Sequence, residues 1–520
     1  MVISAGNSGS VGPWYSSSPA SGIDVITVAS TDSTTVYYQR ANVSTGYGPI
    51  VYTGFESLPV NGSWPIYAIS NVTTITNDAC NPLPDSTPDL SPYVVIIRRG
   101  TCAFTQKLAN AAAKGMRVAL VYNNGGSFQG LAAGNYTAAL ISEQDGAYLV
   151  SQFVAGNNIT ISFPQGSAQP IPFPQGGLIS TFSSYGPNYD LYLKPSIAAP
   201  GGGILSSIPS GKYAIYSGTS MAAPYISGSA ALALEAHGVS RDTGKTIRTL
   251  FEATASHLGS THDETAPYET LIRQGSGLVQ VYNAIRYNTI VDRPEILLND
   301  SVHFDHKYPI GFQNTGNTTL SYTIGHIPAG TATTFNTSLS LPISGAAPLS
   351  TTTATLSFSQ TTFTLGPGKK TKITVTVEPP SGLDPKSFPI YSGWITATGS
   401  NGEVVSVPYM GLAASVKDMN VLDRSDYYFG IPLPALLDAK EDPQTDLQNY
   451  TFANDNNPTL LWRQAAGTAV QRIDLVDAAS NVTFTKRSPG SFAAVPILGT
   501  LQEKAYVPRN SLINVSFFDG

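Results

Sequence analysis

The stretch Ser217-Gly218-Thr219-Ser220-Met221-Ala222-Ala223-Pro224-Tyr225-Ile226-Ser227-Gly228 delivers a hydroxyl onto the start of an Ala-rich run that continues through Ala236 to Gly238. The pattern predicts a helix beginning near Ser220 and closed by Gly238. Amides in the first turn of a helix have no intrahelical acceptor and carry partial positive charge. An alkoxide or tetrahedral oxyanion formed beside them is therefore stabilised, which makes Ser220 a candidate nucleophile. A serine at a helix start also serves as a plain cap. Composition alone favours the cap, because a hydroxyl-rich chain has many helix starts.

A serine hydroxyl is a weak nucleophile near neutral pH unless a positioned base takes its proton. The chain has six histidines: His237, His257, His262, His303, His306 and His326. His237 lies 17 residues along the Ser220 helix, about 25 Å away at ~1.5 Å per residue and far outside hydrogen-bond reach. His257 and His262 fall in a polar loop and read as surface residues, and no motif recommends the others.

Other chemistries find little support. With a formal charge of −6 and no stripe of Lys or Arg, nothing would track a phosphate backbone, so no nucleic-acid partner is expected. Cys80 and Cys102, 22 residues apart, suit one disulfide or two buried thiols but are too few for a structural zinc site. No His and carboxylate cluster reads as a catalytic metal site. Gly201-Gly202-Gly203 and Gly366-Pro367-Gly368-Lys369-Lys370-Thr371 lack the spacing of a phosphate-cradling loop and read as turns, so no cofactor is expected.

Eleven Asn-X-Ser/Thr triplets, at Asn42, Asn61, Asn71, Asn135, Asn158, Asn299, Asn317, Asn336, Asn449, Asn481 and Asn514, suit a glycosylated, exported protein. That setting permits a disulfide. No run of 18 apolar residues exists to span a membrane. Met1-Val2-Ile3 is followed by a Ser/Gly turn rather than a basic region and an apolar core. The expectation is a chain that lacks its exporting segment or has been cut from something longer.

The elements that must position Ser220 read as follows. Val2-Ile3-Ser4-Ala5 and Val25-Ile26-Thr27-Val28 are short buried strands around a Gly6-Asn7-Ser8-Gly9 turn. Tyr93 to Ile97 and Val118 to Tyr122 flank a helix from Phe104 to Lys114 with Gly115 as its C-cap, a compact βαβ unit. A Pro-rich linker, 164–174, leads back to the Gly/Ser-rich stretch, the Ser220 helix and a further helix over Thr246 to Ala255. From about Val291 alternation takes over: Ile373, Val375 and Val377 against Lys372, Thr374 and Thr376 predict half-buried strands of a β-sandwich. The last hundred residues read as another β-rich module with no evident closing element. At 42% hydrophobic residues and only 12% charged, with 48 Gly and 37 Pro, the composition agrees with strand-rich, turn-rich domains.

The Ser217 to Gly228 string closely resembles the nucleophile motif of subtilisin-like serine peptidases. Two further stretches resemble the same family in the expected order: Ile3-Ser4-Ala5-Gly6-Asn7-Ser8-Gly9, and Phe182-Ser183-Ser184-Tyr185-Gly186-Pro187 continued by Lys194-Pro195-Ser196-Ile197-Ala198-Ala199-Pro200-Gly201. Ser196 stands where an acidic residue is common. The resemblance implies Ser220 as nucleophile, Asn7 as side-chain oxyanion donor, and Ala5 and Gly6 as one wall of the substrate side-chain pocket. A neutral carboxamide suits the oxyanion, since its N–H faces developing charge without titrating; subtilisin itself is the standard illustration of this effect, at about 10²–10³ in rate.

Asp78-Ala79-Cys80 with Val94 to Phe104 and Lys107 resembles a protease-associated domain, an insertion carried by larger members of the family, and the region after Val291 resembles a fibronectin-III-like domain. The implied fold is a partial α/β parallel-sheet subtilisin-like domain (1–30 and 171–290), an inserted α+β protease-associated domain (31–170), a β-sandwich (291–413) and a further β-rich module (414–520). The implied partner is a protein or peptide substrate, with extracellular or cell-wall ligands for the accessory domains.

The family's Asp and His lie upstream of the oxyanion Asn, and only six residues precede Asn7 here. The expectation is a secreted endopeptidase represented without its Asp and His, close to inert alone, with an open sheet edge and exposed apolar surface. The rival is a non-catalytic binding or adhesion protein in which Ser220 is a relic.

Overall fold

The computed structural model describes residues 1–520 except 126–130, 132, 210, 439–441, 452–457, 478–496, 511–515 and 520, with backbone only for 516–519. Asn481 and Asn514 lie outside the described residues; the other nine sequon asparagines are all exposed.

The chain opens with β1 (Val2–Ser4) and β2 (Ile26–Asp32). It then departs through β3 (Thr35–Val43), β4 (Ile50–Thr53), β5 (Ser63–Ala68), β6 (Val94–Arg98), α1 (Phe104–Ala112), β7 (Val118–Tyr122), β8 (Ala138–Ile141), α2 (Glu143–Val154), β9 (Thr160–Ser162) and β10 (Gln169–Pro172). It returns as β11 (Ile197–Gly202), then the hairpin β12 (Ile204–Ile208) and β13 (Lys212–Tyr216), then α3 (Thr219–His237) and α4 (Arg241–Ala253). β1, β2 and β11 form one parallel sheet in that order, with β1 at its edge among the described residues. β2 is buried along its whole length, as a strand covered on both faces must be.

α3 packs on this sheet through Ala222, Ile226 and Ala233, positions i, i+4 and i+11 on one helical face, against Val28, Ile197 and Ala199. One flank of the helix, about a quarter turn from that face, is uncovered: Tyr225 is 49% and Leu232 53% exposed. α4 starts five residues earlier than the pattern predicts, because the Ser240 hydroxyl accepts from Thr243 N at 3.0 Å and caps a polar first turn that reads as loop.

The departing unit is built around β5, β6, β7 and β8, all parallel, with β9 pairing to both β5 and β3 so that the sheet closes on itself. Cys80 and Cys102 are disulfide-bonded on its flank. Lys107, fully buried, donates to the Asp78 carbonyl beneath that bridge.

Residues 289–412 form two facing sheets. One contains Lys307–Asn314 and Lys370–Glu378, the other Leu320–Pro328, Ile390–Gly399 and Val404–Leu412. Ile373, Val375 and Val377 point into the core between them and are fully buried, the alternation a half-buried strand requires. In the C-terminal residues, Ser516–Asp519 pairs antiparallel with Thr459–Trp462, the central strand of a three-stranded sheet.

Candidate active site

The turn after β1 carries Ala5, Gly6 and Asn7, and each is fixed by the backbone of a distant element. Ala5 N donates to Val28 O at 2.9 Å, and the Ala5 carbonyl accepts from both Ser17 N and Ser17 Oγ. Gly6 adopts φ +105°, and a Cβ there would sit 2.8 Å from Ser184 Oγ, so only glycine fits. Its carbonyl accepts from Ser184 N, while Ser184 Oγ accepts from Ser8 N. The Phe182 to Ser184 stretch thus clamps the turn from one side.

From the other side comes α3. Gly6 N donates to Thr219 Oγ1 at 3.1 Å. Asn7 Oδ1 accepts from both Thr219 N and Thr219 Oγ1, each at 2.9 Å, across a separation of 212 residues. These bonds set the carboxamide's orientation: with the oxygen committed to two donors, Nδ2 faces the opposite way. Thr219 immediately precedes Ser220, so the carboxamide lies within about 7 Å of the Ser220 backbone, one peptide unit beyond the 2.9 Å bond.

The approach depends on glycine. Gly218 precedes the helix, donates to Gly201 O, and carries no side chain where Asn7 Nδ2 would stand 3.3 Å from a Cβ. Ser220 is the second residue of α3 and exposed, and its amide belongs to the first turn, where no i−4 acceptor exists. Pro224 sits four residues on and lacks an N–H, so the Ser220 carbonyl is freed from its usual helical bond. An exposed serine, its first-turn amide and a carboxamide whose oxygen is held by the preceding residue thus belong to one bonded junction between the β1 turn and α3.

The histidines are elsewhere. His237 ends the continuous α3, as its spacing requires. His303 pairs with Asp300, His306 lies near Glu378, and His326 contacts Tyr409 Oη, all in the β-sandwich. His262 is exposed. The reading of His257 as a surface histidine is overturned: its ring stacks on Trp394 at 3.9 Å, and burial lowers its pKa to about 4. The sequence signal for this was weak, because the partner ring lies 137 positions away in another domain. Among the described residues, no histidine or carboxylate hydrogen-bonds the Ser220 hydroxyl.

Thr219 is the functional position that sequence reasoning missed. As the first helical residue it offers both N–H and hydroxyl to Asn7, and a threonine directly before the serine was the available signal.

The turn carrying Asn7 is also held from outside the sheet. Trp14 Nε1 donates to Thr334 Oγ1 at 3.0 Å, Gly345 N donates to Ser10 O at 2.8 Å, and Arg509 Nη2 donates to Val11 O and Pro13 O, both at 2.8 Å. A Cβ on Gly12 would lie 2.2 Å from Ile343 O. The β-sandwich and the C-terminal module thus grip residues 10–14, directly after Asn7.

The model of the subtilase family matches residues 1–277, and that of an Fn3-like domain matches 296–410. The PI-type proteinase of Lactococcus lactis subsp. cremoris is 28% identical over 81% of this chain and 24% of its own length. The minor extracellular protease Vpr of Bacillus subtilis (strain 168) is 29% identical over 56% of this chain and 35% of its own. The C5a peptidase of Streptococcus pyogenes serotype M3 is 37% identical over 28% of this chain and 12% of its own. The chain spans about a quarter of the length of the lactococcal proteinase. With more than half of its residues matched, and with an Fn3-like domain following, this chain belongs to the subtilase family of serine peptidases.

Proposed function

We propose that the chain is the nucleophile-bearing part of a secreted serine endopeptidase. Ser220 Oγ attacks the scissile carbonyl and gives its proton to a histidine, and the tetrahedral oxyanion is held by Asn7 Nδ2 and the Ser220 N–H. The C–N bond then breaks, the amine leaves with the proton, and water releases the acyl group from Ser220 by the reverse sequence. Ala5 and Gly6 line one wall of the pocket for the substrate side chain. The observation that carries the reading is the pair of bonds from Thr219 to Asn7 Oδ1, which aims the carboxamide N–H beside the serine.

In this reading the Asp and His come from chain outside residues 1–520, against the free edge of β1 and the uncovered flank of α3. A parallel sheet is stable when both faces and its edges are covered, and Tyr225 and Leu232 mark the place. Residues 31–170 act as a protease-associated domain. The substrate is protein or peptide, and the nine exposed sequon asparagines and the Cys80–Cys102 bridge fit an extracellular glycoprotein.

The test is labelling with a serine-directed phosphonate. The protein expressed with its upstream coding sequence should label stoichiometrically at Ser220. Ser220→Ala should abolish labelling and Asn7→Ala should slow it by about 10²–10³; residues 1–520 alone should label slowly or not at all. Absence of labelling in the longer protein, or labelling indifferent to Asn7→Ala, refutes the proposal and favours a binding protein with a relic serine.

A further inference from the structure

We propose that the Cys80–Cys102 bridge is a thiol–disulfide exchange site: a thiolate of an external dithiol reductant attacks the Cys102 sulfur, and Cys80 leaves as a thiolate that buried Lys107 receives. The chemistry is separate from that of Ser220.

The starting observation is a buried cation bonded to no anion. Lys107 is fully buried, and its ammonium donates to the Asp78 carbonyl and lies 3.4 Å from Cys80 Sγ. Among the described residues no carboxylate oxygen hydrogen-bonds it. Taking an ammonium out of water is costly unless an anion faces it. Holding a carbonyl does not require that cost, because a neutral amide does the same work. α1 uses two such amides on the same loop: Gln106 Nε2 donates to Cys80 O at 2.8 Å and Asn110 Nδ2 to Ala79 O at 2.9 Å. The charge at Lys107 is therefore surplus to anchoring the loop. Opening the bridge supplies the absent anion, a Cys80 thiolate at ion-pair distance.

The other charged groups around it are already engaged. The Asp78 carboxylate accepts from Arg98 N at 2.7 Å, and the Arg98 guanidinium donates to Ile75 O and pairs with Glu143 at 3.3 Å. Burial pulls the Lys107 pKa down, Asp78 opposes that shift and Arg98 adds to it. A thiolate beside the ammonium acts in the same direction as Asp78, and the ammonium in turn favours the ionised thiol. The sulfur also stays in place when the bridge opens. Lys107, Gln106 and Asn110 tie the carbonyls of residues 78, 80 and 79 to α1 without using either sulfur.

Access separates the two cysteines. Cys80 is 8% exposed, whereas Cys102 is half-buried between exposed Thr101 and Ala103. Attack therefore falls on Cys102. The new S–S bond forms there as the old one breaks, and the electron pair of the old bond leaves on Cys80 Sγ. The second thiol of the reductant then displaces Cys102, which takes up the proton that thiol gives up. The reductant ends as a disulfide, and the pair has gained two electrons and one proton, with Cys80 left as the thiolate against Lys107. A leaving thiol of low pKa speeds exchange, and stabilising the reduced form makes the bridge more oxidising.

Residues 1–520 contain no other cysteine, so thiols can be counted by alkylation and located by peptide mass mapping. In the reduced chain, iodoacetamide labelling of Cys80 should rise with pH through a midpoint at least one unit below the ~8.5 of a free thiol. When the oxidised chain meets glutathione and the released thiol is alkylated, glutathione should map to Cys102 and the alkyl group to Cys80. Lys107→Met should return the Cys80 midpoint to the free-thiol value. It should also shift the equilibrium in glutathione buffers at least tenfold towards the disulfide, about 30 mV for this two-electron couple. A wild-type midpoint at or above the free-thiol value, or glutathione on Cys80, would overturn the proposal. So would a Lys107→Met chain of unchanged circular dichroism that keeps the wild-type equilibrium. Should Lys107→Met lose its fold, the wild-type midpoint and the glutathione map decide by themselves.

Discussion

Replacing His257 with phenylalanine should make the junction between the peptidase domain and the Fn3-like domain less sensitive to acid. The imidazole stacks on Trp394 at 3.9 Å, meets Tyr268 edge-on, and has its Nε2 3.4 Å from Ser406 Oγ. No carboxylate among the described residues contacts it, and burial lowers its pKa from 6.5 to about 4. The unfolded chain therefore binds the proton that the folded chain refuses. Stability on this account is whole above pH 6.5 and is lost as the pH falls towards 4. Worked from those two values, the loss at pH 4.5 is about 2.5 kcal/mol, trimmed to about 2 kcal/mol by the ring's residual solvent contact.

Buried carboxyls act with the opposite sign. Glu252, raised to about 8 by burial, holds its proton when folded and contributes stability that fades as the pH rises. The difference between wild type and His257→Phe removes such shared terms. Urea unfolding followed by tryptophan fluorescence should show the wild-type midpoint falling by roughly 1 M more than the variant's between pH 7 and 4.5. If both fall equally, the acid-sensitive group is not His257 and the stack is only packing.

Arg509→Ala should destabilise the protein by about 2–4 kcal/mol, because it strands two buried carbonyls, Val11 O and Pro13 O, that the guanidinium satisfies; a lower melting temperature with faster hydrogen exchange at residues 9–15 is the expected result. Cys80→Ala with Cys102→Ala opens a 22-residue loop and should cost about 3 kcal/mol, read as protease sensitivity appearing first between residues 70 and 115.

Local patterns carried the elements well where periodicity and caps agreed. The β6-α1-β7 unit has strands that read as runs of Val, Ile and Leu, and Gly115 follows α1 with φ +89°, where a left-handed residue ends the helix. The Ile373, Val375, Val377 alternation needed only period two. α3 was legible from its Ala-rich run and Gly238. Contacts across domains were not legible. Nothing near Trp14 announces Thr334, and nothing near Val11 announces Arg509, 498 positions away. Such partners are chosen by how finished domains dock, a step to which no local period contributes. The same limit concealed His257: a histidine between Ser256 and Leu258 looks like loop until Trp394 covers it.

The candidate site depends on that long-range step as much as on its motif. Asn7 can serve an oxyanion only if its oxygen is occupied and its nitrogen is not, and the occupying groups belong to Thr219, 212 residues downstream. The turn that presents Asn7 is flanked on its C-terminal side by residues 10–14, whose carbonyls and indole are held by the β-sandwich and the C-terminal module. A shift of the C-terminal module would release Val11 and Pro13, and only Gly9 and the Ser8 bond to Ser184 would then separate that freed segment from the carboxamide. Domains that touch neither the serine nor its amide therefore help to fix the geometry on which both depend.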